Sequence, residues 1–307
     1  MWTGEPATAL AVSADGTTIA AVNRDAEYAV IYNTADGTKK TECSFDGLHM
    51  TVPANDIFAD PKNDVFALNQ DGSLLAVSFN NGGLTLFDLQ EGNEDLIFYE
   101  ESDYRHFEGG FCGDYFAFAA GGDSAMFAVA DTKKAVMTAG LESRDRFFLH
   151  VDENGIYLGN GNILEELEPV TLKERELACT GSVSITDFAV GSKYAIVATE
   201  DQQVSFYDWG AHLISTEKEE ENADFLALTD GYAVIGNHTE PKLRLFRLEG
   251  HEEARLTAYD AGYEHDEARI SGDGQRAMLF SCQGFCIYDR EGKLLAQEEL
   301  PDPENIY

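Results

Sequence analysis

Basic residues are scarce in this chain: 21 Lys and Arg stand against 56 Asp and Glu, a formal charge of −35. Phosphate-binding surfaces draw their affinity from Lys and Arg, so nucleic acid is excluded as a direct partner. Anionic membrane surfaces are disfavoured on the same ground. Long apolar runs are missing too, and without about 18 consecutive apolar residues no helix spans a bilayer. The opening Met1-Trp2-Thr3-Gly4-Glu5-Pro6 has neither a basic region nor an apolar stretch and does not read as a secretory signal. This favours a cytoplasmic protein, with a trimmed extracytoplasmic domain as the alternative. Cysteine is limited to five, an odd number scattered over the chain, which argues against a disulfide framework. Cys282 and Cys286 flank Gln283-Gly284-Phe285 and would face each other across a three-residue hairpin loop. Finally, no apolar stripe of 3.6-residue period runs for three turns, which disfavours a helical solenoid.

What the chain has in abundance is short β-like runs closed by turns. Thr186 to Trp209 shows the unit clearly. Phe188-Ala189-Val190 meets a Gly191-Ser192 turn, the apolar run Tyr194 to Ala198 follows, and a polar turn at Glu200 to Gln203 leads to Val204, Phe206 and Tyr207-Asp208. The pattern is strand, turn, strand, turn, strand. Its closing pair can be followed through Tyr32-Asn33, Phe87-Asp88, Phe127-Ala128, Leu167-Glu168, Tyr207-Asp208, Phe246-Arg247 and Tyr288-Asp289, at intervals of 55, 40, 40, 40, 39 and 42. A second marker keeps step at Asp15-Gly16, Asp71-Gly72, Gly113-Asp114, Asn154-Gly155, Gly191-Ser192, Asp230-Gly231 and Asp273-Gly274. Gly and Asn accept positive φ and Asp bonds its own backbone, so such pairs close hairpins readily. A period near 40 is that of four-stranded propeller blades. Apolar second strands such as Tyr115 to Ala120 suit strands covered on both faces.

The expectation is therefore an all-β, seven-bladed β-propeller with four antiparallel strands per blade in a single closed domain. The blades span 7–45, 63–101, 106–140, 146–180, 183–218, 223–258 and 266–300, with an insertion at 46–62. The segment Asn162 to Pro169 has the composition of a short helix, and its place in the count assigns it as a strand.

Ser13-Ala14-Asp15-Gly16, Asn69-Gln70-Asp71-Gly72 and Ser271-Gly272-Asp273-Gly274 resemble the Ser-Pro-Asp-Gly turn of the WD-repeat and YVTN-type (WD40-like) propellers. Tyr207-Asp208 and Tyr288-Asp289 resemble the aromatic-Asp pair that ends their third strands. The resemblance covers nearly the whole chain and implies the fold. It also implies that the loops between second and third strands share one face with those entering the first strands, and that this face binds partners.

On that face Tyr104, Arg105, His106, Arg146, Tyr259, Tyr263 and His265 are the candidate partner-binding residues, since Tyr and Arg dominate interface hot spots. Asp145, Asp187, Asp224 and Asp266 recur near first-strand starts and are the candidate ligands for Ca²⁺ or Mg²⁺, which take carboxylate oxygens. The same residues also suit a purely structural task, satisfying strand-start amides. No nucleophile elbow, phosphate loop or zinc motif is present. The function expected is a non-enzymatic scaffold that binds a protein or peptide, one with a basic surface where the chain's charge steers it. The alternative is a hydrolase or lyase with a divalent metal at an acidic channel mouth.

Overall fold

The computed structural model describes residues 9–23, 28–45, 65–79, 83–92, 94–99, 106–121, 125–143, 147–152, 154–219, 223, 225–229, 231–236, 242–248, 252–257, 267–271, 275–281, 284–289 and 291–299. Among them the regular structure is entirely β, in seven four-stranded sheets. The first holds β1 (Ala9–Val12), β2 (Thr18–Asn23), β3 (Tyr28–Asn33) and β4 (Lys39–Ser44). The second holds β5 (Phe66–Leu68), β6 (Leu74–Phe79), β7 (Gly83–Asp88) and β8 (Glu94–Tyr99). The third holds β9 (His106–Cys112), β10 (Tyr115–Gly121), β11 (Ala125–Asp131) and β12 (Val136–Ser143). The fourth holds β13 (Phe147–Val151), β14 (Ile156–Asn160), β15 (Ile163–Leu167) and β16 (Glu174–Cys179). The fifth holds β17 (Ile185–Val190), β18 (Tyr194–Thr199), β19 (Gln203–Asp208) and β20 (Leu213–Lys218). The sixth holds β21 (Phe225–Leu228), β22 (Tyr232–Gly236), β23 (Lys242–Arg247) and β24 (Glu252–Thr257). The seventh holds β25 (Glu267–Ile270), β26 (Arg276–Ser281), β27 (Gly284–Asp289) and β28 (Leu294–Glu299). In every sheet each strand pairs with its neighbour in sequence.

The chain divides into two compact units, 1–158 with 166–175, and 159–165 with 176–307. Within the first, β1 lies beside β5, β5 beside β9, and β9 beside β13. Within the second, β17 lies beside β21 and β21 beside β25. First strands that neighbour one another while each sheet runs outward in order make a β-propeller arrangement.

The core follows from the period-two alternation of strands. Leu75 and Val77 join Ala20, Val22, Ala29 and Ile31 of the first sheet in one cluster. Ala76, between them, points the other way into a cluster with Phe116, Phe118 and Ala120 of the third sheet. The third sheet repeats the device, since Ala117, Ala119 and Phe127 pack on Phe147, Ile156 and Leu158 of the fourth. In the second unit Ile196 and Ala198 meet Ala233 and Ile235, while Val234 meets Ala277, Leu279 and Tyr288. The second strands β6, β10 and β22 thus bury both faces, which explains why their sequences are apolar without alternation. Fully burying one Phe or Leu contributes roughly 1.5–3 kcal/mol, so the sheets are held mainly by their neighbours. The fourth strands β4 and β20 are mostly exposed.

Three expectations are corrected here. The third closing pair is not Phe127-Ala128, which sits mid-strand: β11 runs on to Asp131, and that residue takes the place of Asn33, Asp88 and Asp208. The third sheet extends to Ser143, past the expected 140. The last hairpin pairs Ser281 with Gly284, so two residues and not three stand between its paired strands, and Cys286 lies buried opposite Leu279. Cys282 lies outside the described residues, as does the insertion 46–62. Ile163–Leu167 is a strand, as its position in the repeat required.

Candidate functional site

Most of the expected partner-binding face, Tyr104, Arg105, Arg146, Tyr259, Tyr263 and His265, lies outside the described residues, and so do Asp145, Asp224 and Asp266. His106 opens β9, opposite Gly121 of β10. Asp187 sits in β17 next to a break in register between Ile185 and Asp187, and its carboxylate accepts the Phe188 backbone N–H at 2.8 Å. Part of the structural reading of that aspartate, a carboxylate satisfying a strand amide, is thus seen directly. The turn between β18 and β19 is also described. Asp201 there accepts the Thr199 hydroxyl and the Gln203 side-chain amide, both at 2.6 Å. Among the described residues no group of three or more His, Cys, Asp and Glu is placed to hold a metal ion.

Elsewhere the acidic residues have definite tasks. At the turn between third and fourth strands, the strand-ending residue accepts backbone N–H groups from the turn ahead of it. Asp88 takes those of Gln90 and Glu91 at 2.8 and 2.9 Å, and Asp131 those of Lys133 and Lys134 at 3.1 and 3.0 Å. Asp208 takes those of Gly210 and His212 at 2.8 and 3.0 Å. Asp289 takes those of Glu291 and Lys293 at 3.1 and 2.8 Å. Glu168, with a longer side chain, reaches the Thr171 N–H at 2.7 Å. These are Asx-type closures, in which a carboxylate mimics a backbone acceptor. The turn between first and second strands uses a related device: Asp15 accepts the Thr17 N–H at 2.8 Å, and Asp71 the Ser73 N–H at 3.0 Å.

The bonds are felt in the titration of these groups. The Ser13 hydroxyl, with the Thr17 amide, holds Asp15 below the usual carboxylate range, and the Ser73 hydroxyl does so for Asp71. Lys134 lowers Asp131, the Thr171 hydroxyl lowers Glu168, and the His212 backbone N–H lowers Asp208.

Within the first unit a cleft of about 370 Å³ opens beside these turns, between Asn154-Gly155 on one side and Glu166 to Arg175 on another, with Cys112 at its wall. It belongs to the turns joining first to second and third to fourth strands, not to the loops between second and third strands that sequence reading favoured. Several polar groups at and beside it are engaged locally. Arg175 donates from Nε to Glu166 at 2.6 Å, Glu168 is committed to Thr171, and Asp152 accepts the Asn154 and Gly155 N–H groups at 2.7 and 3.0 Å. Burial pushes the Cys112 thiol up, with Asp152 and Glu166 adding to it. A thiol shifted this way stays protonated near neutrality and is a poor nucleophile. Burial likewise raises Tyr157.

Arg244, in the second unit, is only 19% exposed and pairs with both Glu217 and Glu219. Arg244 stands in β23 of the sixth sheet, while its acids come from β20 of the fifth and from just past its end, so no pattern within one repeat unit signals the pair. The turn caps had a stronger signal, an acid or amide recurring at one position in six of the seven units.

No family model matches the chain, and no curated protein matches it. Solved structures do. The computationally designed Ika8 protein is 12% identical with a TM-score of 0.66, covering 94% of this chain and 86% of its own. BamB from Moraxella catarrhalis is 12% identical with a TM-score of 0.67, covering 95% and 87%. The β-propeller domain of Cps50 (Swd1) from Myceliophteria thermophila is 13% identical with a TM-score of 0.58, covering 79% and 88%. At such identities the likeness speaks to fold alone, and the fold is that of a β-propeller.

Proposed function

We propose that this chain is a seven-bladed, closed β-propeller acting as a non-enzymatic scaffold, which presents its loops to a protein or peptide partner with a basic surface. The observation that carries this reading is the use made of acidic residues: those best described close turns and do not converge on a reacting point, while the chain as a whole keeps a charge of −35. Sheets whose turn carboxylates are engaged with their own backbone leave recognition to the loops and to the summed field. That field raises the encounter rate with cations and basic surfaces. The propeller likeness to the Cps50 (Swd1) domain and to BamB supports a binding role at the level of fold.

Affinity capture from the native host, with the full chain as bait at low and high salt, tests the proposal. The expected result is a basic protein retained at low salt, released as salt rises, and bound less well by the Tyr259→Ala, Tyr263→Ala double variant. Retention of no protein under either condition would overturn it. A parallel thermal-shift titration with Ca²⁺ and with Mg²⁺ separates this reading from the metal-dependent one. A saturable rise of the midpoint that is lost on Asp187→Asn would favour the hydrolase or lyase.

A further inference from the structure

We draw no further inference here: the strongest candidate, the apolar face of the first sheet on which Leu10 and Val12 stand 64% and 56% exposed, is an unpartnered sheet face and nothing in the structure shows what covers it.

Discussion

Gly16 and Gly72 occupy the same position in two copies of one turn, with φ of +70° and +67°. Their surroundings differ. A Cβ on Gly16 would meet nothing within 4 Å, whereas one on Gly72 would come to 2.4 Å from the Thr18 hydroxyl oxygen and 2.5 Å from its Cβ. Thr18 is fully buried and cannot move aside cheaply. Gly16→Ala is therefore expected to cost only the left-handed strain, about 1–2 kcal/mol. Gly72→Ala adds overpacking of roughly 1–3 kcal/mol. Urea unfolding of the two variants checks this, and equal losses would refute it. The converse holds at the turn between third and fourth strands. There Gly37, Gly92 and Gly292 hold positive φ in three sheets, but Ala135 and Ala211 hold it in two others, at 51° and 60°. Replacing either alanine by glycine relieves strain at some cost in unfolded-chain entropy, for a net gain of about 0.5–1 kcal/mol. A lower urea midpoint for both variants would show that the left-handed strain is already relaxed.

At the scale of elements, the hairpin turns depend on ionised acceptors. The carboxyls of Asp15, Asp36, Asp71, Asp131, Glu168 and Asp208 all titrate below their ordinary values in the folded chain, Asp131 through the Lys134 ammonium first and the others through the hydroxyl and amide donors around them. Asp152 joins them although burial opposes it, because His150 and Asn154 outweigh that burial. A depressed folded pKa gives stability that is complete above the unfolded value, about 4 for a carboxylate, and that is lost as pH falls through the folded value. Thermal midpoints are thus expected to fall steeply below about pH 4. Asp208→Ala should lower the midpoint at pH 7 while making the remaining acid dependence shallower, since one contributing group is gone. An acid profile identical to that of the unaltered chain would refute the cap's role. The fourth strands show another element-scale device. Register breaks put an extra residue into β4, β12, β20 and β28, and into β8. A bulge on an open edge twists it away from a second chain, which protects these five outer strands from strand-to-strand aggregation.

Over the whole molecule, a charge of −35 repels itself in any compact state. Ion pairs such as Lys133 with Asp114 and Lys134 with Asp131 are exposed on the lysine side and offset little of it. Added salt shortens the screening length from about 10 Å at 0.1 M to about 3 Å at 1 M. The thermal midpoint is therefore expected to rise with sodium chloride over that range. A flat or falling curve would mean that local pairs outweigh the net charge. Salt should act in the opposite sense on capture of a basic partner, so stability and binding are expected to diverge in one titration.

The amino-acid order determined the β class, the repeat near 40 residues and the turn chemistry, because each depends on contacts within a few residues. Even the helix-like Ile163–Leu167 segment could be assigned by counting. Tertiary structure decided what periodicity leaves unmarked. In Ala125–Asp131 every residue is buried, so no polar alternation signals where the strand ends, and the repeat alone places the closing pair three residues early. Two-sided burial, the property that makes a propeller strand apolar throughout, also erases its register. Only the described strand shows that Asp131, and not Ala128, ends β11 and caps the turn after it.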